Sequence, residues 1–285
     1  MPEGDTIFRA ARTLDQALGG QTVARFRTVL PQLSRVDHDM PIVGRRIEHV
    51  RSAGKHVLMT FSGDLILRTH MRMHGSWHVY RPGERWQAPG RDMRIVIGTD
   101  RYEAVAFRVP VAEFRTQAAL DRDPAVRDLG PDLLAGEFDA VEALARLRAV
   151  PHLTLADALL AQRVVAGVGN VFKSEVLFEA RLSPFEAVGE VADARLIAAL
   201  AIARRQLEAN VGGEADRLAR SPRRRTTGRL DPREALWVYG RAGQPCLRCG
   251  TPIARIVVAQ RGTHFCPQCQ PPRPAASGEA PKRGG

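Results

Sequence analysis

The first chemistry in this chain lies at its N-terminus, Met1-Pro2-Glu3. A small residue in second position lets an aminopeptidase remove Met1, and Pro2 then presents a free secondary amine. Such an amine attacks an electrophilic carbon, loses its single N–H proton and becomes a cationic iminium that draws electrons from its neighbours, the Schiff-base strategy more often run with lysine. An α-amino group titrates near pH ~8, so part of it is nucleophilic at neutral pH. Glu3 places a carboxyl able to move protons directly beside it. Alone, Met-Pro-Glu is also an ordinary way for a chain to start, so the pair needs support from the rest of the sequence.

The second chemical signal is the cysteines. All four fall in Cys246-Leu247-Arg248-Cys249 and Cys266-Pro267-Gln268-Cys269, separated by a 16-residue gap. Two C-x-x-C knuckles at this separation have zinc-ribbon spacing, and four thiolates complete a tetrahedral site. With no cysteine elsewhere, disulfides are not expected. The third is Gly167-Val168-Gly169-Asn170, which breaks an apolar helical pattern just where a new helix should start. Two readings stay open. Exposed backbone N–H groups and the Asn170 amide make a phosphate seat, or the stretch is an interhelical turn with Asn170 as N-cap. Lysine occurs only at Lys55, Lys173 and Lys282 in a chain of 42 Lys and Arg. A compact, flexible ammonium retained at Lys55 reads as functional; Lys173 and Lys282 carry no such reading.

These residues need elements to hold them. Asp5 or Thr6 is placed to cap a helix with the apolar face Ile7, Ala11, Leu14 and Leu18, ended by Gly19-Gly20. From Gln21 to about Arg115 the pattern turns to short β runs. Residues 24–30 alternate, 42–50 read as another strand, 57–61 and 65–68 flank the turn Ser62-Gly63-Asp64, and 94–97 and 102–109 flank Thr99-Asp100-Arg101. Evenly spaced short strands predict an antiparallel sandwich or barrel. Residues 119–137, with several Asp and Pro, read as a linker. Helices are then expected over 138–150, 154–162, 170–179 and 193–210, followed by a basic stretch from Arg217 to Arg248 that includes Arg220 and Arg223. Residues 271–285 are low in complexity and expected to be disordered.

At 285 residues with a net charge of +11, the chain has room for two or more domains and favours a polyanionic partner. No apolar run approaches a membrane span, and Arg9 and Arg12 with no apolar core behind them do not make a secretory signal, which points to the cytoplasm.

The opening Met-Pro-Glu-Gly, the run Gly54-Lys55-His56, the Gly-Val-Gly-Asn turn, and the four-cysteine ribbon with Gln260-Arg261 between its knuckles occur in one order. Together they resemble the Fpg/Nei family of bifunctional DNA glycosylases over residues 1 to about 270, leaving only the tail outside. The resemblance implies an α+β multidomain fold. An N-terminal antiparallel β-sandwich with an N-terminal helix (1–118) would be followed by the linker, a helix–two-turn–helix domain (138–237), a four-cysteine zinc finger (238–270) and the tail (271–285). It implies Pro2 as nucleophile at C1′ of a damaged nucleotide and Glu3 as acid/base. Lys55, Asn170 and Arg261 would contact phosphates, Arg261 from the zinc hairpin. Cys246, Cys249, Cys266 and Cys269 would hold a structural Zn2+, and the chemistry itself would need no cofactor. The run Arg68 to Trp77 resembles the loop that fills the space of a flipped base, with Arg72, Met73 and His74 as the fillers. His74 departs from the aromatic Tyr of many Nei-type members, so its contact stays open, as does the choice between phosphate and packing for His70.

The resulting expectation is a base excision repair enzyme on damaged double-stranded DNA, monomeric and acting at the bacterial nucleoid. It would excise oxidised pyrimidines through a Pro2 Schiff base and cleave the strand by β,δ-elimination. Met-Pro-Glu-Gly-Asp-Thr and Lys55-His56 look like the Nei (endonuclease VIII) side. The alternatives are an Fpg-type 8-oxoguanine glycosylase, a non-catalytic protein that binds damaged DNA, and a zinc-ribbon transcription or RNA-binding factor. The last leaves Pro2, Lys55 and the Gly-Asn turn unexplained.

Overall fold

The computed structural model describes residues 2–212, 224–258 and 261–271. Met1, the basic positions Arg217, Arg220 and Arg223, and the expected tail from residue 272 onward lie outside the described residues.

The chain opens with helix α1 (Gly4–Leu18), one turn earlier than Asp5 or Thr6 would start it: Glu3 is its N-cap, without a side-chain capping bond. Asp5 and Thr6 have other partners, given below. The face Ile7, Ala11, Leu14 and Leu18 is fully buried, and each such aliphatic side chain contributes about 1.5–3 kcal/mol when removed from water. Eight strands follow: β1 (Arg25–Thr28), β2 (Ile47–Ala53), β3 (His56–Phe61), β4 (Leu65–His70), β5 (Ser76–Tyr80), β6 (Met93–Gly98), β7 (Glu103–Phe107) and β8 (Val111–Arg115). They form two four-stranded sheets, β1-β6-β7-β5 and β2-β3-β4-β8, antiparallel throughout. Side chains from both sheets and α1 share one core, which makes the expected sandwich. The strand expected over 42–50 begins only at Ile47, because residues 31–39 form a short helix, α2 (Pro31–Asp39), with Pro31 in its first turn. That proline favours a helix start.

Two other features follow from how the sheets are covered. Strand β3 runs Val57-Leu58-Met59 without alternation because both its faces are buried. Val57 and Met59 enter the main core, while Leu58 packs with Ile66 and Leu120 on the other side. Leu120 belongs to α3 (Gln117–Arg122), which is followed by α4 (Pro124–Arg127). The expected linker therefore holds two helical turns, capped by the Thr116 and Asp123 side chains.

Beyond it lie α5 (Ala140–Arg148), α6 (Leu155–Leu160), α7 (Asn170–Glu179) and α8 (Asp193–Ala209) around a second core. Helix α7 is buried over nine of its ten residues, so it works as the axis of the domain. The last unit is the hairpin β9 (Ala254–Val258) and β10 (Arg261–Phe265), flanked by the cysteine knuckles.

The linker ties the first two units together. Its backbone pairs with residues 162–166 through Gly130 N–H to Gln162 O and Ala166 N–H to Pro131 O. The Asp132 carboxylate accepts from Leu134 N–H (2.9 Å) and, across to the sandwich, from Gly54 N–H (2.8 Å). Asp132→Ala would strand that Gly54 donor and should cost about 1–3 kcal/mol. Urea unfolding should show a lower midpoint at unchanged slope; an unchanged midpoint would mean the bond carries no weight.

Candidate active site at the meeting of three domains

Glu3 is completely buried. Its Oε1 accepts the Val171 N–H at 2.8 Å and its Oε2 the Phe172 N–H at 3.2 Å. These are two of the free donors in the first turn of α7, where a negative charge is favoured by the helix dipole. The approach requires glycine. A Cβ on Gly169 would lie 2.3 Å from both Glu3 Cγ and Cδ, and one on Gly4 would lie 2.7 Å from the Gly167 carbonyl oxygen, which accepts the Gly4 N–H at 2.9 Å. The Gly167–Asn170 turn is thus a cradle for residues 3 and 4. Two of the backbone donors expected to seat a phosphate, those of Val171 and Phe172, are instead taken by the Glu3 carboxylate. The N-cap is Gly169, and Asn170 is the first helical residue. Pro2 is half-buried beside this seat.

Asp5, also fully buried, receives Arg224 through two bonds of 2.8 Å, while Arg224 Nη2 donates to Thr6 Oγ1 at 3.0 Å. A bidentate guanidinium–carboxylate pair is geometrically specific, and it draws residue 224 to the first turn of α1. Sequence reading placed Asp5 as a cap and gave Arg224 only to a basic stretch.

Lys55 sits in the turn between β2 and β3, where Gly54 has a positive φ of 55°. Burial pushes its amine down to about 8; Glu3 opposes the shift, while the charges of Arg261 and Arg224 add to it. Glu3, Arg224 and Arg261 are therefore all within electrostatic reach of Lys55. Arg261 is exposed at the start of β10, paired with Val258. Asn170 Nδ2 donates to the Gly262 carbonyl at 2.9 Å, which places Asn170 beside Arg261 in the chain next door. Lys173, which sequence reading set aside, is buried to 1% exposure. Its Nζ donates to Asn170 Oδ1 and to Thr263 Oγ1, both at 2.8 Å. The scarcity of lysine was the available signal.

The remaining expected residues lie along one wall. His70 ends β4; its Nδ1 accepts the Arg72 N–H at 3.0 Å, and its ring meets His56 edge-on at 4.9 Å. Burial lowers His70 to about 4 and His56 to about 3, helped by neighbouring cations, so both rings are neutral at pH 7. Behind them Arg68 pairs with Glu113 and Asp123. Arg72 adopts a positive φ of 51°, and Gly75 N–H closes the turn on the Met71 carbonyl at 2.8 Å. Met71 is core, whereas Arg72, Met73 and His74 all project to solvent. The turn thus presents three side chains from an anchored base, with His70 bonded to it. On the opposite side, Val171, Arg224, Leu236, Tyr239 and Arg241 line a cleft of about 680 Å³.

The four Sγ atoms lie within 4.8 Å of one another, with Cys246–Cys269 at 3.9 Å and Cys249–Cys266 at 3.5 Å. Tetrahedral zinc at Zn–S ~2.3 Å sets its sulfurs about 3.8 Å apart, so the set fits the ion. The knuckles rest on α7: Phe178 packs with Cys246, Cys266 and Val238, and Arg248 lies 4.6 Å over the Phe178 ring. The buried Glu175 carboxylate accepts the N–H groups of Trp237, Val238 and Tyr239.

Three family profiles match this chain: "Formamidopyrimidine-DNA glycosylase N-terminal domain" over residues 1–110, "Formamidopyrimidine-DNA glycosylase H2TH domain" over 129–218, and "Zinc finger found in FPG and IleRS" over 243–272. A probable endonuclease 8 2 of Streptomyces coelicolor is 42% identical over 100% of this chain and 97% of its own length. The DNA-(apurinic or apyrimidinic site) lyase Nei2 of Mycolicibacterium smegmatis is 38% identical over 95% and 99%. The crystal structure of Lactococcus lactis formamidopyrimidine-DNA glycosylase on DNA containing an abasic site superposes with a TM-score of 0.78 at 22% identity, covering 95% of this chain and 100% of that one.

The Glu3 seat has a direct test. Gly169→Ala keeps an ordinary backbone conformation but fills the space of the Glu3 side chain, so activity on abasic DNA should fall by roughly 10²-fold or more, as for lost acid–base groups, with the melting temperature shifted by only a few degrees. Retained activity would mean the Glu3 position is not needed. Lys55 is charged below pH 8 and neutral above it. Affinity for an uncleavable abasic duplex should therefore drop as pH rises from 7 to 9, and drop less in Lys55→Arg; parallel profiles would exclude Lys55 as the titrating contact.

Proposed function

Because this chain belongs to the Fpg/Nei family of DNA glycosylases, we propose that it works at Pro2 as a bifunctional DNA glycosylase and abasic-site lyase of base excision repair. The observation that carries this reading is the Pro2–Glu3 pair. Half-buried Pro2, whose nitrogen becomes an amine once Met1 is removed, stands next to a carboxyl held by α7, and Glu3, Arg224 and Arg261 all act on the Lys55 ammonium.

The chemistry follows from the residues. The Pro2 nitrogen bonds to C1′ as the glycosidic bond breaks, and the base departs with its electron pair and a proton. Glu3 passes a proton to the ring oxygen so that the sugar opens and an iminium forms. The iminium acidifies the C2′ hydrogen, whose loss expels the 3′-phosphate; a second elimination expels the 5′-phosphate. A flipped nucleotide costs a few kcal/mol of stacking and pairing. Lys55, Asn170 and Arg261 offset that cost by holding backbone phosphates, and Arg72, Met73 and His74 enter the vacated stack, with Met73 as apolar wedge. His70 serves by fixing the Arg72 turn. The cleft lined by Val171, Tyr239 and Arg224 offers an aromatic face and a guanidinium to the extruded base. The structural zinc held by Cys246, Cys249, Cys266 and Cys269 has no open position for water; its part is to fix the β9–β10 hairpin. The substrate class is oxidised pyrimidines, supported by the Met-Pro-Glu-Gly opening, by Lys55-His56, and by relatives named endonuclease 8.

Borohydride trapping of untagged protein on duplexes carrying dihydrouracil, 8-oxoguanine or an abasic site tests all of this together. The expected result is a covalent adduct at Pro2 on dihydrouracil and abasic DNA, lost in Pro2→Gly and in protein bearing an N-terminal extension. An adduct on 8-oxoguanine alone would assign the Fpg specificity, and no adduct on any duplex would leave a DNA-binding protein without catalysis.

A further inference from the structure

We infer that Lys173 is a positioning residue for the DNA grip: it sets the orientation of the Asn170 amide and, through Thr263, fixes the distance between Asn170 and Arg261. The inference rests on the function proposed above and adds to it a residue that touches no DNA.

The argument is one of donors and acceptors. An ammonium has three donors and no acceptor, so the atom of the Asn170 amide facing Lys173 Nζ at 2.8 Å must be Oδ1. That leaves Nδ2 directed away from the helix, where it donates to the Gly262 carbonyl at 2.9 Å. Lys173 and the Gly262 carbonyl hold the amide from its two ends; without Lys173, Oδ1 loses its donor and the Gly262 carbonyl alone is left to keep Nδ2 outward. The second bond of the ammonium, to Thr263 Oγ1 at 2.8 Å, reaches the strand that begins with Arg261. The resulting chain, Gly262 to Asn170 to Lys173 to Thr263, closes on itself across the gap between α7 and β10. The Gly262 oxygen meanwhile sits where the Asn170 donor and the neighbouring Arg261 residue converge. A phosphate oxygen entering there would exchange for that carbonyl and find its donors already aimed.

Placing the ammonium here is unfavourable in itself. Lys173 is 1% exposed, burial pulls its amine down to about 8, and Arg261 adds to the shift while Asp157 and Glu3 oppose it. A leucine or methionine would fill the same space at lower cost, as the rest of the helix interior does. A buried, doubly bonded lysine between two DNA contacts is therefore retained for the geometry it imposes.

The test is a double-mutant cycle on affinity for duplex DNA carrying tetrahydrofuran, an uncleavable abasic analogue, measured by fluorescence anisotropy over a range of salt. Lys173→Met and Asn170→Ala should each weaken binding roughly tenfold, the weight of one hydrogen bond to a charged group. Neither should change the slope of log affinity against log salt, because neither removes a cation that pairs with a phosphate. The double variant should be no weaker than either single one. In Lys173→Met the loss should fall on affinity rather than on the rate of strand cleavage at saturating protein, because Pro2 and Glu3 are untouched. Additive losses in the double variant, or wild-type affinity in Lys173→Met, would overturn the inference. Should Lys173→Met lose zinc or unfold, Thr263→Val, which removes only the hydroxyl acceptor, takes its place. It should weaken binding a few-fold, and wild-type affinity there would equally overturn it. Wild-type protein that binds tetrahydrofuran DNA but gives no borohydride adduct at Pro2 would sink the catalytic reading instead, leaving the binding cycle intact.

Discussion

A carboxylate at residue 3 bonded to two free N–H groups in the first turn of a helix that starts at residue 170 is the contact around which the other parts are arranged. It is buried and charged, so it persists only with its donors in place. Those donors belong to a helix end, which cannot shift without moving the whole of α7. The proposed nucleophile, Pro2, is the residue before the carboxylate. Its position is thereby set by a domain far away in the chain, and the close approach is possible because residues 4, 167 and 169 have no side chains.

Helix α7 extends the same logic along its length. Its first residues hold Glu3, Asn170 and Lys173 hold the β10 strand, Glu175 holds the backbone of Trp237, Val238 and Tyr239, and Phe178 supports the cysteine knuckles. A helix buried on all sides has no solvent face to lose, and polar residues on it survive only where partners meet them. Each of its buried charges faces a different unit. Positive charge gathers around Lys55, whose ammonium is opposed by Arg261 and Arg224 and favoured by Glu3.

Much of this was legible in the residue order. The cysteine spacing, the hairpins around Gly63 and Asp100, and the helix over 170–179 each rest on local rules, and the structure has them where the pattern put them. What local pattern does not carry is partnership at long range. Asp5 reads as a cap because nothing near it in sequence names Arg224 as its partner, 219 residues away. Gly167 and Gly169 read as a phosphate loop because glycines announce a close approach without saying what approaches. Lys173 looked incidental, since its role exists only once the hairpin folds back on the helix. The strand expected at residue 42 failed for a different reason: apolar residues in a turn over a core resemble the start of a strand until the proline-led helix before them is counted.

The sealing of residues 3 and 4 beneath residues 167–172 also sets an order of events during synthesis. The cradle that encloses the N-terminus is made 168 residues after it, roughly ten to thirty seconds later at ordinary translation rates. Until then the leading residues are free in solution and open to an aminopeptidase; afterwards Glu3 is out of reach. On the proposed reading, the timing of Met1 removal relative to the closing of that cradle becomes part of how the enzyme matures.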